Sequence, residues 1–150
     1  MPVFETSFLV PASLTAVAAF HRGTEALKKL TPPPVFVQLH IVEPLAEGSR
    51  SEFSLWFGPF PVRWVAVHSQ VDALHGFTDT QLSGPLASWQ HIHRFEAVNE
   101  GSSRISEHIE YAYPPGWRGR WARMLFNPLG LHLMFAYRAW ITRRLAPSAR

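Results

Sequence analysis

Residues 77–95 constrain the fold more than any other stretch of this chain. Two alternating runs meet at Ser83-Gly84-Pro85, and a period of two is the mark of strands whose two faces meet different surroundings. On the first run Phe77, Asp79 and Gln81 share a face. On the second Trp89, His91, His93 and Phe95 do, with Ser88, Gln90, Arg94 and Glu96 opposite. A solid sheet core is built from Val, Ile and Leu. Aromatics mixed with acid, amide and imidazole groups instead predict the wall of a cavity that holds a ligand.

Local signals place the other elements. Residues 3–10 alternate as a first strand, and 11–21 turn to helical spacing with Ser13 as N-cap and Leu14, Val17 and Phe20 or His21 inward. Gly23 ends that helix, and Thr24 caps a second short one. Thr31-Pro32-Pro33-Pro34 stops the second, because proline cannot continue a helix. Further strands are predicted over 35–43, 50–58, 62–71, 76–82, 86–98 and 102–113, with short turns that favour an antiparallel meander. Both faces of the 62–71 strand are partly apolar, which leaves its orientation open.

Two registers follow. A hairpin at Asn99-Glu100-Gly101 sets Val98 opposite Ser102, hence Phe95 opposite Ile105, His93 opposite Glu107, His91 opposite Ile109 and Trp89 opposite Tyr111. Across Ser83-Gly84-Pro85 the same reasoning puts Asp79 opposite Trp89 and Phe77 opposite His91. Residues 114–119 read as a stiff loop. A helix then runs from Arg120 to about Leu145, interrupted or kinked at Pro128-Leu129-Gly130, with apolar residues round most of its circumference.

The 150 residues, 47% hydrophobic and 17% charged, suit one globular domain over 1–150. With no cysteine, disulfides and thiolate metal sites are excluded. The N-terminus shows no signal peptide, and the most apolar window, 124–141, carries Asn127, Pro128, His132 and Arg138, so a cytoplasmic location is expected. From Arg118 onward there are seven arginines and no acid, against seven basic and eleven acidic residues before it. A basic helix of this kind is either a solvated face or a contact for anionic lipid or nucleic acid. No base-reading motif accompanies it, so no nucleic-acid partner is expected, while contact with a membrane surface stays a reading. No phosphate loop, nucleophile elbow or nucleotide fingerprint is present, and no cofactor is expected.

The order of one strand, two short helices, six antiparallel strands and a long C-terminal helix resembles the START-like (SRPBCC) helix-grip superfamily over essentially the whole chain. Local features carry the resemblance: Phe4 to Phe8 followed by Pro11 and Phe20-His21, Phe77-x-Asp79-x-Gln81-x-x-Gly84-Pro85, Trp89-x-His91-x-His93-x-Phe95, and Tyr111-x-x-Pro114-x-Gly116 leading to Phe135-x-x-Arg138. The chain is most similar to bacterial ligand-binding and polyketide cyclase/dehydrase-type members. The resemblance implies an α+β fold, a curved seven-stranded antiparallel sheet wrapped round a long C-terminal helix, with a cavity between them for apolar or amphipathic molecules. Carriers and enzymes share that fold, so function rests on the site.

The residues expected at a ligand are Phe77, Asp79, Gln81, Trp89, His91, His93, Phe95, Glu107, Tyr111 and Phe135. The leading expectation is binding of a hydrophobic or amphipathic small molecule. The alternative is a cyclase/dehydratase in which His93, with Glu107 or Asp79, serves as acid and base. The plainer account has these groups satisfying one another: Glu107 pairs with His93, and Asp79 bonds a backbone or the Trp89 indole. His91-x-His93 with Asp79 is also a ligand pattern, but residues two apart on any strand share a face, and no metal is expected.

Overall fold

In the computed structural model, which describes residues 2–22 and 25–149, strand β1 (Val3–Val10) leads into helices α1 (Leu14–His21) and α2 (Glu25–Leu30). Six strands follow: β2 (Phe36–Val42), β3 (Arg50–Phe57), β4 (Phe60–Asp72), β5 (Gly76–Ser83), β6 (Ser88–Asn99) and β7 (Ser102–Ala112). Helices α3 (Gly116–Leu125) and α4 (Pro128–Leu145) complete the chain with a 3-10 turn, Ala146–Ser148. The sheet order is β1-β7-β6-β5-β4-β3-β2, antiparallel throughout. Strands β2 to β7 form the predicted meander, and β1 closes onto the free edge of β7. The architecture is the expected α+β helix grip.

Side chains set the element ends. Ser13 Oγ accepts from Ala16 N at 3.2 Å and caps α1, and the Thr31 hydroxyl donates to Leu27 O at 2.8 Å to close α2. The roles given to Gly23 and Thr24 lie outside the described residues. At the other end the helix expected from Arg120 to about Leu145 is interrupted at Pro128, one of the two expected outcomes there. Asn127 Oδ1 accepts from Gly130 N at 2.8 Å with Pro128 in the first turn, so proline starts α4 instead of kinking one continuous helix. Helix α3 starts at Gly116, so part of the expected 114–119 loop is helical. Gly119 makes this close turn feasible, since a Cβ there would lie 2.0 Å from Pro114 O.

The β6–β7 register is as predicted from Trp89–Tyr111 to Ala97–Ser103. At the hairpin Asn99, rather than Val98, faces Ser102 across a bulge, and Asn99 Oδ1 accepts from Gly101 N at 2.9 Å. The β5–β6 register differs by two residues: Phe77 faces His93 and Asp79 faces His91. The cause is Gln81. Its Nε2 donates to Leu86 O at 2.8 Å and its Oε1 accepts from Leu86 N at 3.4 Å, so an amide side chain occupies the turn and β6 begins at Ser88. A slip of two keeps every side chain on its face while changing its partner. In β2 the expected alternation breaks between Leu39 and Ile41, where the ladder shifts.

Two apolar clusters lie under the sheet. Trp64, Trp89, Ile109, Phe126, Leu131 and Phe135 pack between the sheet and α3–α4; Val10, Val17, Phe20, Phe77, Phe95 and Ile105 pack under α1. Ile105 and Ile109, fully buried on β7, anchor one cluster each. The outer faces of α3 and α4 leave Trp117, Trp121, Leu129 and Trp140 exposed. Among the described residues no helix is long and apolar enough to cross a membrane.

Candidate functional site

A cavity of about 450 Å³ lies between the sheet and the helices, within the range of small-molecule sites. Apolar side chains from every layer wall most of it, among them Leu27 of α2, Phe53 and Leu55 of β3, Trp64 of β4, Phe126, and Leu131 of α4. Its exposed lining residues, Arg22, Pro33, Glu43 and Leu133, mark the rim.

One end is polar. Because β4, β5, β6 and β7 are neighbours, alternation delivers His68, Asp79, His91, His93 and Glu107 to the same patch of the inner face. Asp79 bridges two imidazoles: its Oδ1 accepts from His68 Nε2 at 2.9 Å and its Oδ2 from His93 Nε2 at 2.8 Å. Glu107 Oε2 accepts from His91 Nε2 at 2.5 Å and lies 3.1 Å from His93 Nδ1. The latter is an off-axis ion pair, since Nδ1 has no partner in hydrogen-bond geometry. His68 Nδ1 shares a bond with Ser49 Oγ at 2.9 Å. The rings stack, Phe77 on His93 at 4.2 Å and His91 on His93 at 3.8 Å between centroids. Gly76 lets β5 start this close: with φ at +126°, its Cβ would fall 1.9 Å from the His93 carbonyl oxygen.

The two stacked imidazoles titrate in opposite directions. Burial opposes a charge on His93, but Glu107 and the bond to Asp79 outweigh it and raise its pKa to about 9. Burial, then the His93 charge beside it, lowers His91 to about 4 in spite of Glu107. Burial would raise both carboxyls. For Asp79 the bonds from His68 and His93 win, for Glu107 the His93 charge does, and both stay ionised well below the usual carboxylate range. His21 on α1, also in the cavity wall, is lowered to about 4 by burial, and its Nδ1 donates to Val17 O at 2.9 Å.

Of the ten residues expected at a ligand, Phe77, Asp79, Trp89, His91 and His93 line the cavity. Glu107 stands behind the imidazoles. Gln81 is spent on the β5–β6 turn, Phe95 and Tyr111 sit in the two apolar clusters, and Phe135 packs on Phe4 and His91. The expectation that Asp79 bonds a backbone or the Trp89 indole gives way to its pairing with two histidines. Among the lining residues not expected at a ligand are three with basic side chains, His21, His68 and Arg138. The signal for His68 is its even spacing from Trp64 and Ala66 on β4, and the signal for Arg138 is its phase with Leu131 and Phe135. Donor atoms of Asp79, His91 and His93 come within 4.8 Å of one another, and two imidazoles with a carboxylate are a set that divalent transition metals accept. A metal there would displace the protons these groups now share.

No family model matches the chain, and no curated protein matches it by sequence. Solved structures match its fold. Protein CV1439 from Chromobacterium violaceum superposes with a TM-score of 0.78 at 11% identity, covering 97% of each chain. A truncated norcoclaurine synthase from Thalictrum flavum gives 0.72 at 18% identity, covering 99% of this chain and 95% of that one. Norcoclaurine synthase from the same plant in complex with dopamine and hydroxybenzaldehyde gives 0.68 at 17% identity, covering 95% and 87%. The chain shares the helix-grip fold of these structures.

Proposed function

We propose that this protein binds a hydrophobic or amphipathic small molecule in the cavity between its sheet and C-terminal helices. The observation that carries the reading is the cavity's division into a long apolar wall and a single polar end, where Asp79, His91 and His93 orient one ligand group. Norcoclaurine synthase, a protein of the same fold, is known in complex with dopamine and hydroxybenzaldehyde, which supports small-molecule binding on this fold. Trp64 and Trp89 line the cavity and report on it. An apolar dye or a co-purified ligand is expected to shift their fluorescence. Ala66→Phe, which fills the cavity from β4, is expected to abolish that shift while the protein stays folded. A shift that survives the filled cavity would place binding elsewhere.

A cyclase/dehydratase-type reaction is the second reading, favoured by one observation. Two stacked histidines are driven apart, His91 to about 4 and His93 to about 9, as paired acids and bases are in active sites. At neutral pH His93 is the proton donor and His91 the acceptor. Turnover lost in His93→Gln with ligand binding retained would support chemistry. Turnover that survives this change would leave binding alone.

A further inference from the structure

Arg138 follows Leu131 by seven residues and Phe135 by three, and precedes Thr142 by four, so it belongs to the inner stripe of α4 rather than to its solvated arginines. It lines the cavity. Its Nε is shut off from solvent and has no hydrogen-bond partner among the described residues. The guanidinium carbon lies 4.9 Å from the Phe135 ring centroid, a contact that steadies the group and leaves its N–H donors unused. Asp79 and Glu107 act on it through space alone, with both oxygens of Asp79 and Oε2 of Glu107 turned toward imidazoles. Burial pushes the guanidinium pKa down, yet arginine stays charged in proteins. A half-buried cation without a partner is costly, and with Nε enclosed, the terminal nitrogens of the guanidinium are the donors that a ligand in the cavity can meet.

We propose that Arg138 anchors the carboxylate of an apolar acid, an alkanoic or aromatic monoacid whose body lies along Phe53, Trp64, Phe126 and Leu131. The planar fork of arginine matches the two oxygens of a carboxylate. A phosphate monoester fits the fork as well, but would bring up to two negative charges beside Asp79 and Glu107, which favours the monoanion. This inference rests on the cavity-binding reading above and names the chemistry of the ligand's polar end.

The test is calorimetric titration of the full chain with two matched pairs, decanoate with methyl decanoate and naphthoate with methyl naphthoate, and with decyl phosphate. In at least one pair the acid is expected to bind roughly ten-fold or more tightly than its ester. Arg138→Met is expected to erase that preference while ester binding remains. Arg138→Lys, which keeps the charge and loses the fork, is expected to retain part of it and covers the case in which the Met variant does not fold. Equal affinity for acid and ester, a preference that survives Arg138→Met, or tighter binding of decyl phosphate than of decanoate would each overturn the proposal. If esters bind and acids gain nothing, the anchor fails and the cavity reading stands. If neither member of either pair binds, nor an apolar dye, both fail together.

Discussion

The two ends of the cavity are held by different physics. At the apolar end Trp64, Trp89 and Phe126 meet edge to face or tilted at 5.4–6.4 Å between centroids, contacts that are individually weak and tolerant of adjustment. At the polar end His68, Asp79, His93, Glu107 and His91 form one chain of hydrogen bonds and ion pairs in which each charge exists because its neighbour does. The apolar end sets capacity. The polar end sets orientation, and it should fail as a unit when one member is removed.

The largest effect is therefore expected from Glu107→Ala. It strips the His93 imidazolium of a counter-charge and leaves His91 without its acceptor, in a patch where Glu107 is 6% exposed. Loss of one partner from a buried pair typically costs about 3–5 kcal/mol. Urea denaturation measures it. A cost near that of a surface substitution would show that the five groups are not coupled, and the contrast between the ends would collapse.

The pH dependence comes next, and its sign follows from the shifts. His93 is raised from its ordinary value of 6.5 to about 9, so its contribution is complete below pH 6.5 and disappears as pH rises through 9. At 1.36 kcal/mol per pKa unit the full loss is about 3 kcal/mol. His91 and His21 are lowered to about 4, so between pH 6.5 and 4 the unfolded chain takes up protons that the folded chain refuses, and stability falls on acidification. The ionised Asp79 and Glu107 add to that acid loss below the ordinary carboxylate range. Stability should peak near pH 6.5, and His93→Gln should flatten most of the alkaline decline. A flat profile from pH 6.5 to 9 in the parent protein would mean that His93 is not held as a cation.

The same division explains what could be read from the residues alone. Face sharing on β5, β6 and β7 is a matter of parity, so Asp79, His91, His93 and Glu107 were legible as one patch before any register was known. The β6–β7 pairing was legible too, because every pair from Trp89–Tyr111 to Phe95–Ile105 matched in character. That register also set Glu107 beside His93, as the structure has it, but which imidazoles Asp79 meets was not legible. It depends on the β5–β6 turn, and there Gln81, by its composition an apt ligand contact, serves as a clamp on Leu86. His68 was obscured because both faces of β4 are partly apolar. Arg138 was obscured by its company: counted with six other arginines it reads as surface charge, and its phase with Leu131 and Phe135 separates it from them.

The smallest effect is expected at the apolar end, and it sharpens the contrast more than a large one would. Leu125 lines the cavity at the end of α3, partly buried against the aromatic cluster. Leu125→Met conserves volume, and swaps of that kind usually cost less than about 1.5 kcal/mol because neighbouring rings and a flexible thioether can repack. Urea denaturation should therefore show little change, and the profile between pH 6.5 and 9 should keep the parent's slope, since no titrating group has moved. Binding of an apolar dye should persist, its affinity altered by the reshaped wall. A cost approaching that of Glu107→Ala would mean that the apolar end is as rigidly specified as the polar one, and the cavity would then be a packed core with a gap rather than a site with room to adapt.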